Sequence, residues 1–336
     1  MNPAEALSTQ ILTTAIQRNA TDIHFYPFTS YTKLYVRIDG KRSLLNSLTT
    51  SQYDLLLTYY KFTSGMDIGE IRKPQNGTIT HHFNAKNFSL RLSTLPVNQH
   101  ESLAIRILPQ DNYLSLEKHF LFKHQYTIIK RWMKHKSGLI LFSGPTGSGK
   151  TSTLYGLLEA VLKEHSYQTI TLEDPIEKKL QDILQVQVNE KAGITYQTGL
   201  KAALRHDPDI IMVGEIRDRE TAQFAFEASL TGHLVLSTIH AKDTIGTIYR
   251  LLDMGITPIE LEQSLIAIAS IELVPIFPNT SNRTRAALVE LLEDRLLIQA
   301  IHGKLMTLEQ TKQSFHHLRK KAYLYGFISK DTYENS

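Results

Sequence analysis

Cysteine is absent from the 336 residues of this chain. Disulfides and thiolate metal sites are therefore excluded, and the chain fits a reducing cytosol. Long apolar runs are missing too, since none approaches the roughly 18 residues needed to span a bilayer. The opening MNPAEALSTQILTTAIQRNA has no basic start followed by an apolar block, which argues against a signal peptide. Charge of one sign is scarce: the net charge is +4 and the pI about 8.9. That is too little to argue nucleic-acid binding by itself, though it suits occasional contact with an anionic membrane face. No repeat, low-complexity tract or heptad array is found. What is present is 42% hydrophobic residues over a length of about two ordinary domains, enough for sizeable cores.

The stretch that organises the chain is GLILFSGPTGSGKTSTLYGLLEAVLK, Gly138 to Lys163. Leu139 to Phe142 is a short apolar run bounded by glycine and predicts a buried strand; Ser152 to Lys163 has helical spacing. Between them Gly144, Pro145, Thr146, Gly147, Ser148, Gly149, Lys150 and Thr151 spell G-x-x-x-x-G-K-[ST] in the context that this phosphate-binding loop requires. Its glycines let backbone N–H groups converge on phosphate oxygens at a helix N-terminus. Lys150 is the candidate for the β- and γ-phosphates of ATP, and the Thr151 hydroxyl for Mg²⁺.

Upstream, residues 4–19 carry a one-sided apolar stripe and predict a helix. Strands are expected at Asp22 to Tyr26, Lys33 to Ile38, Gly77 to Phe83, Phe88 to Leu95 and Ser102 to Leu108, with a turn at Asp39-Gly40 and a helix over 51–64. Residues 1–108 thus read as an α+β domain, followed by a polar linker around Pro109 to Ser115 (109–118). Residues 119–336 read as an α/β domain: Leu116 to His135 helical, then strands at Gln168 to Leu172, Ile210 to Val213 and Leu234 to Ser237 alternating with helices, the pattern of a parallel sheet. From Pro258 onward the expectation is mostly helical, interrupted by PIFPNTSNRTR at 275–285.

Three further stretches carry chemistry. DPDIIMVGE is an apolar strand ending in Glu215, the candidate second Mg²⁺ ligand and water-polarising group. TLEDPIE ends another strand with carboxylates; Glu173 is an alternative general base. TGHLVLSTIH brackets a strand with His233 and His240, either of which could sense the γ-phosphate by hydrogen bond. The pairs His81-His82 and His316-His317 lack partners at metal-ligand spacing and read as exposed, so zinc is not expected.

Taken in order, GPTGSGKTSTLY, TLEDPIE, DPDIIMVGEIRDRETA and TGHLVLSTIHAKD resemble the Walker A, Asp-box, Walker B and His-box motifs of the secretion ATPases of type II secretion and type IV pilus assembly. Ser152 stands where that family usually has threonine. ATDIHFYP, RIDG, RKPQNGTI, and RLSTLP followed by AIRIL resemble its N-terminal domain, so the likeness runs over roughly residues 15–275. The longer members carry a tetracysteine zinc insertion and an extra leading domain. This short, cysteine-free form resembles the competence-pilus branch of Gram-positive bacteria. His100-Glu101 replaces a family Gly-Glu and puts the tight turn there in question.

The resemblance implies a RecA-like ATPase domain, a preceding PAS-like domain and a homo-oligomeric ring, a hexamer. It implies that Arg91 and Arg106 of the N-terminal domain act on bound nucleotide as the domains close. It also implies a cytoplasmic motor, peripheral to the inner face of the membrane, that works on a polytopic platform protein and powers pilin polymerisation and DNA uptake, with no direct nucleic-acid binding. Pilus retraction, type II secretion and a nucleic-acid-dependent RecA-like motor are the competing readings; the modest charge and the lack of a basic, aromatic-interleaved strip weigh against the last.

Overall fold

The computed structural model describes residues 2–38, 40–84, 86–98, 100–109, 116–277, 285–305, 307–309 and 311–334. The chain divides into two compact units, Met1–Asp111 and Asn112–Ser336.

The first unit runs α1 (Pro3–Gln17), β1 (Asp22–Pro27), β2 (Tyr31–Ile38), β3 (Lys41–Thr49), α2 (Thr50–Thr63), β4 (Gln75–Phe83), β5 (Lys86–Val97) and β6 (His100–Pro109). The strands form one antiparallel sheet in the order β3-β2-β1-β6-β5-β4. Period-two alternation puts Ile23, Phe25, Leu34, Val36, Leu90 and Ile105 on one face, fully buried in a core shared with Ile11 and Leu12 of α1 and Leu56 and Tyr60 of α2. Both helices start on side-chain caps: Asn2 accepts from Ala4 N, and Thr49 and Gln52 form a capping box. The β5–β6 hairpin forms despite His100: Val97 pairs with His100, and Asn98 takes the left-handed conformation (φ 56°). Behind that turn Lys61 and Glu101 make a buried ion pair, Nζ to Oε2 2.5 Å. Asp39 and residues 110–115, and with them most of the expected linker, lie outside the described residues.

The second unit contains α3 (Leu116–His119), α4 (Lys123–Trp132), β7 (Gly138–Ser143), α5 (Lys150–Leu162), β8 (Thr169–Glu173), β9 (Leu184–Gln187), α6 (Tyr196–Ala203), β10 (Ile210–Ile216), α7 (Arg219–Leu230) and β11 (Leu234–Ile239). It continues with α8 (Thr244–Asp253), α9 (Pro258–Ser264), β12 (Leu265–Pro275), β13 (Arg285–Glu293), α10 (Asp294–Ile301), α11 (Phe315–Leu324) and α12 (Lys330–Glu334). The sheet order is β13-β12-β7-β11-β10-β8-β9, parallel except where β13 runs back along β12. Along β7, Leu139 and Leu141 enter one core while Ile140 and Phe142 enter the other. Burial on both faces explains why this strand is a continuous apolar run.

Three expectations are corrected. The stretch after Pro258 is not mostly helical, because LIAIASIELVP and RAALVELLE form the two long strands β12 and β13. The helix expected over Leu116 to His135 is broken, because Phe120 bridges to Ala287 and Leu121 N donates to Ala287 O. Of the paired histidines, His81 and His317 are half-buried rather than exposed.

Candidate nucleotide site

In a parallel sheet the crevice for a ligand opens at the carboxyl ends of the strands. Here those ends bring together Ser143 of β7, Glu215 of β10 and Ile239 of β11. The loop Gly144–Gly149 leaves β7 at a point where only glycine fits: a Cβ on Gly144 (φ 140°) would lie 2.5 Å from Ile271 O and 2.7 Å from Ser148 Oγ. Gly149 (φ 89°) caps α5 and offers no side-chain hydrogen bond to its first amides. The Lys150 ammonium folds back across the loop, donating to Gly144 O at 2.8 Å and Pro145 O at 2.9 Å. Burial pulls its pKa down to about 8, against the Glu177 charge that works to raise it. Ser148 Oγ is buried with no partner among the described residues. An uncapped helix start, glycine backbone, a buried ammonium and an orphaned hydroxyl together fit the oxygens of a polyphosphate. Thr151 and Ser152 follow, half-buried, on the first turn of α5.

Both candidate carboxylates stand at the carboxyl ends of neighbouring strands, Glu173 on β8 and the less enclosed Glu215 on β10. Glu215 Oε1 is paired with Arg217 Nε, its Oε2 is 3.6 Å from His240 Nε2, and Arg217 Nη1 reaches Asp174 Oδ2 at 3.4 Å. Burial, then the Lys150, Arg250 and Arg217 charges, hold the His240 imidazole below its ordinary pKa, so it favours the neutral form that accepts as well as donates. Glu173 is enclosed. It is 2% exposed, its Oε2 takes the Tyr155 hydroxyl, and its Oε1 accepts from Thr171 Oγ1 at 2.6 Å and Gln185 Nε2 at 3.1 Å. Three protein donors thus already engage its two oxygens.

His233 is not at the site. The register Leu234 to Gly138 and Ile239 to Ser143 puts it beside the amino end of β7, with Gly138 N donating to its carbonyl. The loop follows the other end, and a strand of this length spans about 20 Å. Its ring bonds Thr231 Oγ1 instead.

Arg91 and Arg106 lie in the first unit and face one another across β5 and β6. Arg106 Nε donates to Asp22 Oδ1 at 2.9 Å. The same cross-strand row continues through Asp22 to Arg37 and Arg42, placing four arginines and one carboxylate on the sheet face opposite the helices. Burial works to raise the Asp22 pKa, but hydrogen bonds from Arg106 and Thr21 outweigh it and hold the carboxyl below its ordinary value.

Residues 1–323 match the family described as type II/IV secretion system protein. The chain belongs to that family. It is 41% identical over 348 aligned positions to the competence protein ComGA of Bacillus subtilis strain 168, covering 99% of this chain and 98% of that protein. It is 41% identical over 273 positions to the type II secretion system protein E of Pseudomonas aeruginosa, covering 81% of this chain but 54% of that longer protein, about half its length. Among solved structures it resembles the Legionella pneumophila ATPase DotB (TM-score 0.77, 22% identity, 98% of this chain and 95% of that one) in fold. It also resembles the pilus retraction motor PilT with bound ADP (TM-score 0.76, 27% identity, 97% and 95%).

Within this secretion-family chain, four site features escaped sequence reasoning. Tyr155 sits on α5 and joins it to Glu173 and to Glu177 N. Arg217 bridges the ends of β8 and β10, although GEIRD offered it to view beside Glu215. Asp218 and Asp243 are helix N-caps, accepting from Thr221 N at 2.8 Å and Gly246 N at 2.7 Å. Both could have been found, since each opens an apolar helical stretch.

Proposed function

We propose that this chain is a Mg²⁺-dependent, ATP-hydrolysing motor that powers pilin polymerisation in a competence pseudopilus, and through it DNA uptake. The observation that carries the reading is the meeting of Lys150, Glu215 and His240 beyond the carboxyl ends of β7, β10 and β11, in a chain 41% identical along 99% of its length to a competence protein. The second unit is read as RecA-like (119–336) and the first as PAS-like (1–108), joined by a linker at 109–118.

Gly144 to Ser152 would hold the phosphates, with Lys150 neutralising the β- and γ-oxygens. Thr151 and Glu215 would hold Mg²⁺, which when bound supplies charge neutralisation on the transferred phosphoryl. Glu215 orients the attacking water, and Arg217 and His240 fix its carboxylate. Glu173, enclosed by Tyr155, Thr171 and Gln185, serves the frame instead. For Arg91 and Arg106 we propose stabilisation of developing phosphoryl charge, which a planar, always-charged guanidinium suits. A ring of six subunits at the inner membrane face, acting on a polytopic platform protein, completes the proposal. The likeness to PilT favours retraction as the second reading.

The test is phosphate release by the purified full chain with and without Mg²⁺, in the parent and in Lys150→Ala, together with DNA uptake in cells lacking the chain. We expect turnover that needs both Mg²⁺ and Lys150, and uptake that fails. Equal turnover in Lys150→Ala sinks the motor; normal uptake with lost pilus shortening moves the assignment to retraction.

A further inference from the structure

Glu290 is a carboxylate within the apolar middle of the strand RAALVELLE, between Val289 and Leu291, and it is 4% exposed. Burying an ionisable group among Ala, Val and Leu is costly unless donors satisfy it. Three do. Oε1 accepts from Thr244 N at 3.1 Å and Thr244 Oγ1 at 2.6 Å, and Oε2 accepts from Phe315 N at 3.2 Å. Thr244 and Phe315 are the first residues of α8 and α11. Both helices already carry a side-chain cap, Asp243 and Ser314, so Glu290 adds a second acceptor at each start and meets the positive ends of two helices at once. Burial raises its pKa, while the bonds from Thr244 and Phe315 work the other way.

Its place in the sheet connects this clamp to the nucleotide site. Ile239, Ser143, Ser270 and Glu290 are direct neighbours in one cross-strand row over β11, β7, β12 and β13. Ser143 is the last residue before the phosphate loop. Thr244 follows His240 by only four residues. A cavity of about 1010 Å³ is bordered by Gly144, Pro145, His240, Asp243, Glu290 and Phe315, so the loop shoulder and both helix starts share one wall.

We infer that Glu290 is a positioning residue of the nucleotide site, fixing the His240–Thr244 segment against the strand row that carries the phosphate loop and tying the same row to α11. Its two oxygens are taken up by Thr244 and Phe315, so it acts through His240 in one direction and through α11 in the other. A site event at His240 is thereby passed to α11, outside the ligand crevice. The inference rests on the nucleotide reading of Lys150, Glu215 and His240.

The test uses the full chain. Glu290→Gln keeps the shape and one oxygen for Thr244 but turns an amide N–H toward Phe315 N. Thr244→Val removes only the hydroxyl bond and covers the case in which Glu290→Gln fails to fold. Fluorescent ADP affinity, ATP turnover and amide hydrogen exchange are measured on both variants, on His240→Ala and on the double variant Glu290→Gln/His240→Ala. Nucleotide affinity should stay within about threefold, while turnover in Glu290→Gln falls at least about tenfold, as expected for a misplaced site group. Thr244→Val should lose less. In the parent, Mg-ADP should slow exchange at the start of α11, and this response should vanish in Glu290→Gln. The double variant should be no slower than His240→Ala. Parental turnover and exchange in Glu290→Gln, or a further full loss on top of His240→Ala, overturns the inference. Parental turnover in His240→Ala alone refutes the reading of the site instead, and the exchange response at α11 then still decides whether Glu290 is the tie.

Discussion

Lys61 and Glu101 offer the sharpest energetic test of the first unit. Their side chains are 2% and 3% exposed, and Lys61 Nζ also donates to Glu70 O at 2.8 Å. Glu101 Oε1 is buried without a partner among the described residues, so the ion pair is the principal compensation for its charge. Lys61→Met removes that compensation and leaves an unpaired buried carboxylate, which should cost about 3–5 kcal/mol. Loss of the bond to the Glu70 carbonyl adds about 1 kcal/mol. For a unit of this size, about 1 kcal/mol moves the midpoint by roughly 4–8 °C, so the expected drop exceeds about 10 °C. The double replacement Lys61→Met/Glu101→Leu removes both charges and should recover most of the loss. The single tryptophan, Trp132, lies buried in α4 of the second unit and serves as an internal control. Circular dichroism should show the early transition while Trp132 fluorescence keeps its midpoint. A drop of less than about 1 kcal/mol in Lys61→Met, or a double variant as weak as the single, refutes the idea that this pair is a desolvated, mutually dependent unit.

Glu215→Gln should bind nucleotide as the parent does and lose turnover about a thousandfold, read by phosphate release; a larger loss in Glu173→Gln would return the base role to Glu173. His240→Ala should slow turnover at least about tenfold and His233→Ala less than about twofold, because only His240 reaches the loop end of β11; the reverse order would contradict the strand register. Asp22 has its pKa depressed in the folded state, so its contribution to stability is present above the unfolded value of about 3.8 and fades as pH falls through the lower folded value. Urea unfolding of the first unit at pH 6 and pH 3 should therefore lose less stability in Asp22→Asn than in the parent, and identical losses would show that the Arg106 contact is energetically silent.

Much of the site was legible because its signals are local. Gly144 to Thr151 lie in one stretch, and the strand before it and the helix after it have distinct periods. Arg91 and Arg106 were readable as a pair from their spacing on adjacent strands, but Arg37 and Arg42 joined them only through pairings of β1, β2 and β3 that no single stretch reveals. β12 and β13 were missed for an energetic reason. RAALVELLE is rich in Ala, Leu and Glu, all good helix formers, yet seven of its nine residues are buried in the sheet, and tertiary burial overrides that propensity. The histidines misled through symmetry: His233 and His240 bracket one strand, and chain spacing does not say which end faces the ligand until the neighbour's direction is known. Glu290 was invisible because its partners, Thr244 and Phe315, lie 46 and 25 residues away.

The placement of β7 also sets a timetable for synthesis. Its two hydrogen-bonded neighbours are β11 and β12, and the chain reaches them only at Leu234 and Leu265. A nascent chain that has emerged as far as the phosphate loop holds the whole motif yet has neither strand to brace it. At about 5–20 residues per second, that interval lasts on the order of ten seconds. Nucleotide capture should therefore wait for both neighbours, and a nascent chain stalled before Leu234 would present β7 as a bare apolar ribbon, a natural target for chaperones.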